Sequence, residues 1–287
     1  MRYPTPYPEL NAVLSIFLEK VQNVLLENFV GLYLTGSFAL GDFDLHSDLD
    51  FIVVTHSDVT EAQEAALQTL HGQIYDLEIN WSATPWARHL EGSYISKTLL
   101  ERSDPQRTEL LYLDNTARVL VRSTHCNTLV VRWTLREHGI VLWGPDPKTL
   151  VEPTLPDELR REVAGVMQAW GTEISENPQL LVNRWYQPYA VVQYCRMFFT
   201  VHTGTVISKL GAVRWGKEEL DARWSGLIER AWLERPDPSL KSKQQADPGD
   251  ARETLEFVRY ALELKDRYFV ETSDMNARDS VEPLDNT

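Results

Sequence analysis

Cysteine is nearly absent from this chain: Cys126 and Cys195 stand far apart, with no Cys-x-x-Cys spacing. That argues against a disulfide framework or a thiolate zinc site and fits a reducing cytoplasm. Long hydrophobic runs are missing too, so no membrane span is expected. The first apolar helix carries Glu9, Glu19 and Lys20, so it does not read as a signal peptide. Positive charge is scarce, 28 Lys and Arg against 42 Asp and Glu, for a formal net charge of −14. A protein that grips many phosphates of a long nucleic acid normally shows a basic face, so DNA or RNA is disfavoured as the main partner. Excess carboxylate would favour a cationic acceptor, although many soluble proteins are simply acidic. Apolar and aromatic residues are plentiful: 43 % of the 287 residues are hydrophobic, with nine Trp and eleven Tyr. That is ample core for one large domain or two ordinary ones.

The most informative stretch is Gly31 to Val54, GLYLTGSFALGDFDLHSDLDFIVV. It reads as a short strand, a turn carrying Gly36-Ser37, a helical turn closed by Gly41, and a second strand opened by Ser47-Asp48-Leu49-Asp50. Alternation along a strand turns Asp48 and Asp50 to one face and Leu49 and Phe51 to the other. Two carboxylates about 7 Å apart at Cα can converge on one or two Mg²⁺ ions. Gly36-Ser37, at a strand-to-helix turn, offers backbone N–H groups that suit a phosphate. A phosphate cradle beside paired carboxylates is the equipment for nucleotidyl transfer.

Upstream, Leu10, Val13, Leu14, Phe17, Leu18 and Val21 form a helical stripe within Glu9–Phe29. Downstream, Glu61–Leu70 reads as a helix and Tyr75–Trp81 as an alternating third strand. Asp76 and Glu78 share one face of that strand. His125–His138 is a helix candidate with Asn127 or Thr128 near its start and Gly139 past its end, and Val119–Val121 a short strand. Pro145, Pro147, Pro153 and Pro156 mark a change of character. The expected division is residues 1–152, residues 153–272, and a disordered tail, Ser273–Thr287. Beyond the prolines only helical spacing survives, over Glu158–Glu173, Pro188–His202, Glu218–Leu233 and Ala251–Tyr268.

The Gly-Ser turn followed by Ser-Asp-x-Asp and an apolar strand resembles the signature of the DNA polymerase β nucleotidyltransferase superfamily. Gln187–Trp215 narrows the resemblance: a helix ends at His202-Thr203, Gly204 caps it, and Ile207-Ser208-Lys209 restarts the chain. This is similar to the helical C-terminal domain of the aminoglycoside adenylyltransferases that modify streptomycin and spectinomycin. The implied fold class is α/β plus all-α, a polymerase-β-like domain with a mixed sheet followed by a helical bundle.

The resemblance assigns Gly36, Ser37 and Ser47 to the nucleotide phosphates, and Asp48 and Asp50 to one or two Mg²⁺ ions. Glu78, in a Leu-Glu-apolar pattern, is chosen over Asp76 as the third metal-site carboxylate and the base that activates the acceptor. Lys209 is assigned to the β- and γ-phosphates and Trp232 to the adenine, although a helical Trp is as readily core. Asn127 falls near a nucleotide-side position where the streptomycin enzymes have an aspartate. The family's acceptor site carries carboxylates, but the corresponding stretch here, Leu180–Pro188 (LLVNRWYQP), has Arg184 and none. Trp185 and Glu173 are the candidate acceptor-binding residues.

The expected function is Mg²⁺-dependent transfer of AMP from ATP to a hydroxyl of a small cationic or sugar-like acceptor, an aminoglycoside first, by a monomeric cytoplasmic enzyme. The alternatives are the same chemistry on another metabolite, a protein or an RNA end, and a non-catalytic, antitoxin-like nucleotide binder.

Overall fold

The computed structural model describes residues 5–43, 47–77, 86–235 and 244–279. The chain forms two compact units that part between Leu155 and Pro156, where the sequence puts the break after residue 152.

The first unit is built on six strands: β1 (Phe29–Leu34), β2 (Leu49–Thr55), β3 (Leu90–Ser96), β4 (Leu110–Leu113), β5 (Leu120–Ser123) and β6 (Ile140–Trp143). They lie in the order β5-β4-β3-β2-β1-β6. The sheet is mixed, because β2 and β3 run parallel while every other neighbouring pair is antiparallel. Its helices are α1 (Pro8–Leu25), α2 (Gly36–Ala39), α3 (Glu61–Tyr75), α4 (Lys97–Glu101) and α5 (Leu129–His138).

Alternation along the strands divides the core in two. Leu32, Leu34, Leu49, Phe51 and Val53 pack with Leu10, Phe17 and Val21 of α1 and Leu67 and Ile74 of α3. Tyr33, Ile52, Val54, Ile95 and Tyr112 pack on the opposite side with Leu135 of α5. Asp50 and Glu91 share the second face, since they alternate in phase with Ile52 and Ile95.

The third strand expected over Tyr75–Trp81 does not begin at Tyr75. Tyr75 is the last residue of α3, and Asp76 is its C-cap and pairs with Arg118. The helix runs on because Leu67, Leu70 and Ile74 are buried at helical spacing, which outweighs the short alternation after them. Glu78, chosen on that expected strand, lies outside the described residues. The neighbour of β2 is instead β3, whose parallel pairing needs the long crossover through α3.

The second unit is helical: α6 (Pro156–Glu176), α7 (Tyr186–Thr203), α8 (Lys209–Glu219), α9 (Ser225–Leu233) and α10 (Pro248–Asp279). Buried Ala190, Val191, Tyr194, Cys195 and Val201 make α7 its apolar centre. Gly204 ends α7 in the left-handed region, at φ 71°. The single helix expected over Glu218–Leu233 is broken, because Leu220 is extended and the Asp221 side chain accepts from Arg223 N, opening a 3-10 turn. α10 runs to Asp279, past the start expected for a disordered tail at Ser273. No glycine or proline interrupts 273–279, so the helix adds one backbone bond per residue. Among the described residues no helix is long and apolar enough to cross a membrane.

Candidate active site

The candidate site gathers where β1 passes into α2 and where β2 and β3 begin. Thr35 N donates to Asp50 O (2.9 Å), which ties the turn after β1 to the start of β2. Gly36 follows with φ +57°, and a Cβ there would sit 1.8 Å from Asp50 Oδ2. Only glycine satisfies both the backbone and this approach. Ser37 Oγ is buried with no hydrogen-bond partner among the described residues. A buried hydroxyl ordinarily finds a partner, so this one has a bond to offer a polar ligand.

Asp48 precedes β2, and Asn115 Nδ2 donates to its Oδ1. The Asn115 Oδ1 in turn lies 3.3 Å from His89 Nδ1, so Asp48 is held by a side-chain chain rather than left to rotate. Asp50 is the second residue of β2, and its register partner on β3 is Glu91. Neighbouring strands lie about 4.8 Å apart, so these two carboxylates stand side by side on one face. Ser47 lies in the coil before β2.

Glu91 is a carboxylate on this face that the sequence reading did not single out. Its side chain is 14 % exposed, and Oε1 accepts from the Tyr112 hydroxyl at 2.7 Å. Burial, then the negative charge of Glu91, pushes the Tyr112 phenol far above its ordinary range, so it stays protonated. His125 Nε2 is 3.3 Å from the same oxygen. That hydrogen bond, then the fields of Glu91, Asp50 and Asp114, raise the His125 pKa against the opposing effect of burial. The signal for Glu91 was present in Leu90-Glu91-Gly92-Ser93-Tyr94-Ile95-Ser96, a stretch of the same length as Tyr75–Trp81.

Of the remaining expected residues, Asn127 belongs to the first unit and the others to the second. Asn127 is buried, and its amide donates to Asp104 Oδ2 and Thr108 O, both at 2.8 Å, bracing the loop before β4. Burial pushes the thiol of neighbouring Cys126 up to about 12, which leaves it inert. In the second unit, Lys209 opens α8 just after the Ser208 cap. Trp232 lies on α9 with the Arg235 guanidinium 4.0 Å over its ring, so that face already has a cation on it. Trp185 stacks on Tyr189 with ring centroids 4.9 Å apart, and Glu173 is exposed on α6.

Mg²⁺ takes hard oxygen ligands and usually keeps several waters while binding one or two carboxylates and a phosphate. Asp48 and Asp50 beside Gly36 and Ser37 fit that donor set. Among the described residues no group of three or more His, Cys, Asp or Glu is arranged as an all-protein metal cage.

Comparison with known proteins finds matches in both units. Residues 15–83 match the nucleotidyltransferase domain family, and residues 150–263 match the C-terminal domain of aminoglycoside adenylyltransferase. The chain is a nucleotidyltransferase of the adenylyltransferase kind. The enzyme is 22 % identical to a Staphylococcus aureus spectinomycin 9-adenylyltransferase over 244 residues, covering 74 % of this chain and 87 % of that protein. It is 22 % identical to an Escherichia coli aminoglycoside (3'') (9) adenylyltransferase over 270 residues, covering 88 % and 93 %. Its fold matches the crystal structure of spectinomycin adenyltransferase AAD(9) from Enterococcus faecialis with ATP and spectinomycin. The TM-score is 0.65 at 17 % identity, covering 88 % of this chain and 98 % of that one. The nucleotidyltransferase match ends at residue 83, before β3, so the case for Glu91 stands on the sheet register.

Proposed function

We propose that the enzyme transfers AMP from ATP to a hydroxyl of a small acceptor, an aminoglycoside of the streptomycin or spectinomycin class. The observation that carries this is the pairing of Asp50 with Glu91 beside the buried Ser37 hydroxyl and the Gly36 approach.

Asp48 and Asp50 would hold Mg²⁺, with Asn115 orienting Asp48. Mg²⁺, when bound, supplies positive charge that polarises the triphosphate and stabilises its leaving oxygen. Ser37 donates to a phosphate oxygen from its buried position. Glu91 accepts the proton of the acceptor hydroxyl as that oxygen attacks the α-phosphorus. The bond from the α-phosphorus to its bridging oxygen breaks, pyrophosphate leaves, and the acceptor retains AMP as a phosphodiester. Glu91 takes the place of Glu78 in this reading because the sheet sets it beside Asp50.

The test is mass spectrometry of an aminoglycoside panel incubated with the enzyme, ATP and Mg²⁺, with Asp48→Asn as control. Added AMP on streptomycin or spectinomycin, lost in the variant, is the expected result. No adduct on any drug, with Mg²⁺-dependent ATP binding intact, would move the acceptor to another hydroxyl compound. One observation favours that second reading: Leu180–Pro188 offers no carboxylate, and Arg184 Nη1 donates to Gln244 Oε1 at 3.1 Å.

A further inference from the structure

Glu91 is gripped by two side chains that this chemistry does not yet employ. Tyr112, on β4, and His125, in the turn between β5 and α5, both reach Glu91 Oε1, at 2.7 and 3.3 Å. Their rings pack together with centroids 5.2 Å apart. We infer that Tyr112 and His125 are positioning residues that hold Oε1 and thereby fix how the Glu91 carboxylate is turned toward the acceptor hydroxyl. The inference rests on Glu91 being the base.

A carboxylate beside Asp50 feels like-charge repulsion, which favours rotamers that carry it away. Two donors on a single oxygen oppose that swing, and hydrogen bonds to an ionised group are the stronger kind. Tyr112 is suited to this because its phenol can only donate while it remains protonated. Its one hydrogen goes to Glu91, the nearer acceptor, since Asp114 Oδ1 lies at 3.2 Å. His125 is 61 % exposed, so packing alone does not hold it. Its turn does: His125 N donates to Ser123 Oγ at 3.1 Å and Asn127 N to Thr124 O at 2.9 Å. The Asn127 side chain then anchors the turn on Asp104 and Thr108. The titratable groups facing the imidazole are Glu91, Asp50 and Asp114.

The experiment compares Tyr112→Phe, His125→Ala, His125→Gln and Glu91→Gln in the full-length enzyme, following pyrophosphate release with MgATP and spectinomycin. Tyr112→Phe and His125→Ala should each lower kcat about tenfold and leave the KM for ATP within about twofold. His125→Gln, which keeps an N–H donor, should recover most of the loss. A structural defect would not be rescued this way. Wild-type kcat in both Tyr112→Phe and His125→Ala, with Glu91→Gln inactive, would overturn the inference and leave the base intact. Full activity of Glu91→Gln would overturn the base assignment, and this inference with it. A second arm needs no acceptor: ¹⁵N spectra of the His125 imidazole at one fixed pH. The Nε2 signal should move in Glu91→Gln, and an unmoved signal would mean the contact does not form.

Discussion

The two faces of the sheet use the same strands for opposite ends. On one face Leu49, Phe51 and Val53 lie under α1 and α3 in an almost wholly apolar layer. On the other face, one residue out of phase, Asp50 and Glu91 stand side by side before the strand becomes apolar at Ile52, Val54 and Ile95. Stability and chemistry are therefore separated by parity rather than by distance. Each neighbour of a site residue along β2 is a core residue. A one-residue slip of β2 would turn Asp50 under α1, away from Glu91, and carry Phe51 to the opposite face, so the apolar face also fixes the register that aligns the site.

That separation is tested most severely by neighbouring substitutions. Asp50→Asn should lower the rate of AMP transfer by about three orders of magnitude or more, because it removes charge where the metal is proposed to sit. Urea unfolding of the same variant should show stability unchanged or raised, since repulsion with Glu91 is relieved. A large loss of stability would break the comparison. Phe51→Ala, one residue on, should cost about 3–5 kcal/mol of stability by opening a cavity against Phe17 and His71. Protein that remains folded at low temperature should still turn over, and an inactive folded fraction would mean the faces are coupled.

His71 offers a finer test, set among Phe17, Phe51 and Tyr94 on the apolar side. Its Nε2 lies 2.8 Å from the Tyr94 hydroxyl, and burial pushes its pKa from 6.5 down to about 3. The folded state thus keeps His71 neutral where the unfolded chain would protonate it. This contribution to stability is present above pH 6.5 and is lost as pH falls toward 3, at about 1.4 kcal/mol per pH unit. Urea unfolding between pH 7.5 and 5 should show this slope flattened in His71→Phe. Equal slopes in both proteins would assign the dependence to another group. The smallest effect is expected at Thr60, whose side chain accepts from Gln63 N in the capping box of α3. Thr60→Ala should cost about 1 kcal/mol with kcat unchanged.

The legible parts of the sequence were those encoded locally. Gly36-Ser37 and Asp48-Leu49-Asp50 lie within one short stretch, so spacing alone put the cradle beside the carboxylate pair. The long helical stripes of α1, α6 and α7 were readable for the same reason. Glu91 was not, because Leu77-Glu78 carries the same dipeptide as Leu90-Glu91 and Tyr75–Trp81 alternates as a strand would. Their difference is non-local: β3 pairs with β2 across a crossover that α3 occupies, and only that pairing sets Glu91 against Asp50. The surroundings of Asn127 were illegible for a related reason. Its partners, Asp104 and Thr108, lie in a stretch with no periodic pattern. The break between α8 and α9 turns on one capping interaction of Asp221 that helical periodicity does not register.

Gly36 carries a consequence for how this gene can vary. A Cβ there would occupy the space of the Asp50 carboxylate, and the backbone sits where L side chains are strained. In a saturation library the position should therefore tolerate as little as Asp50 itself, although it contributes no functional group. Substitutions at residue 36 would strike the turn and the carboxylate together.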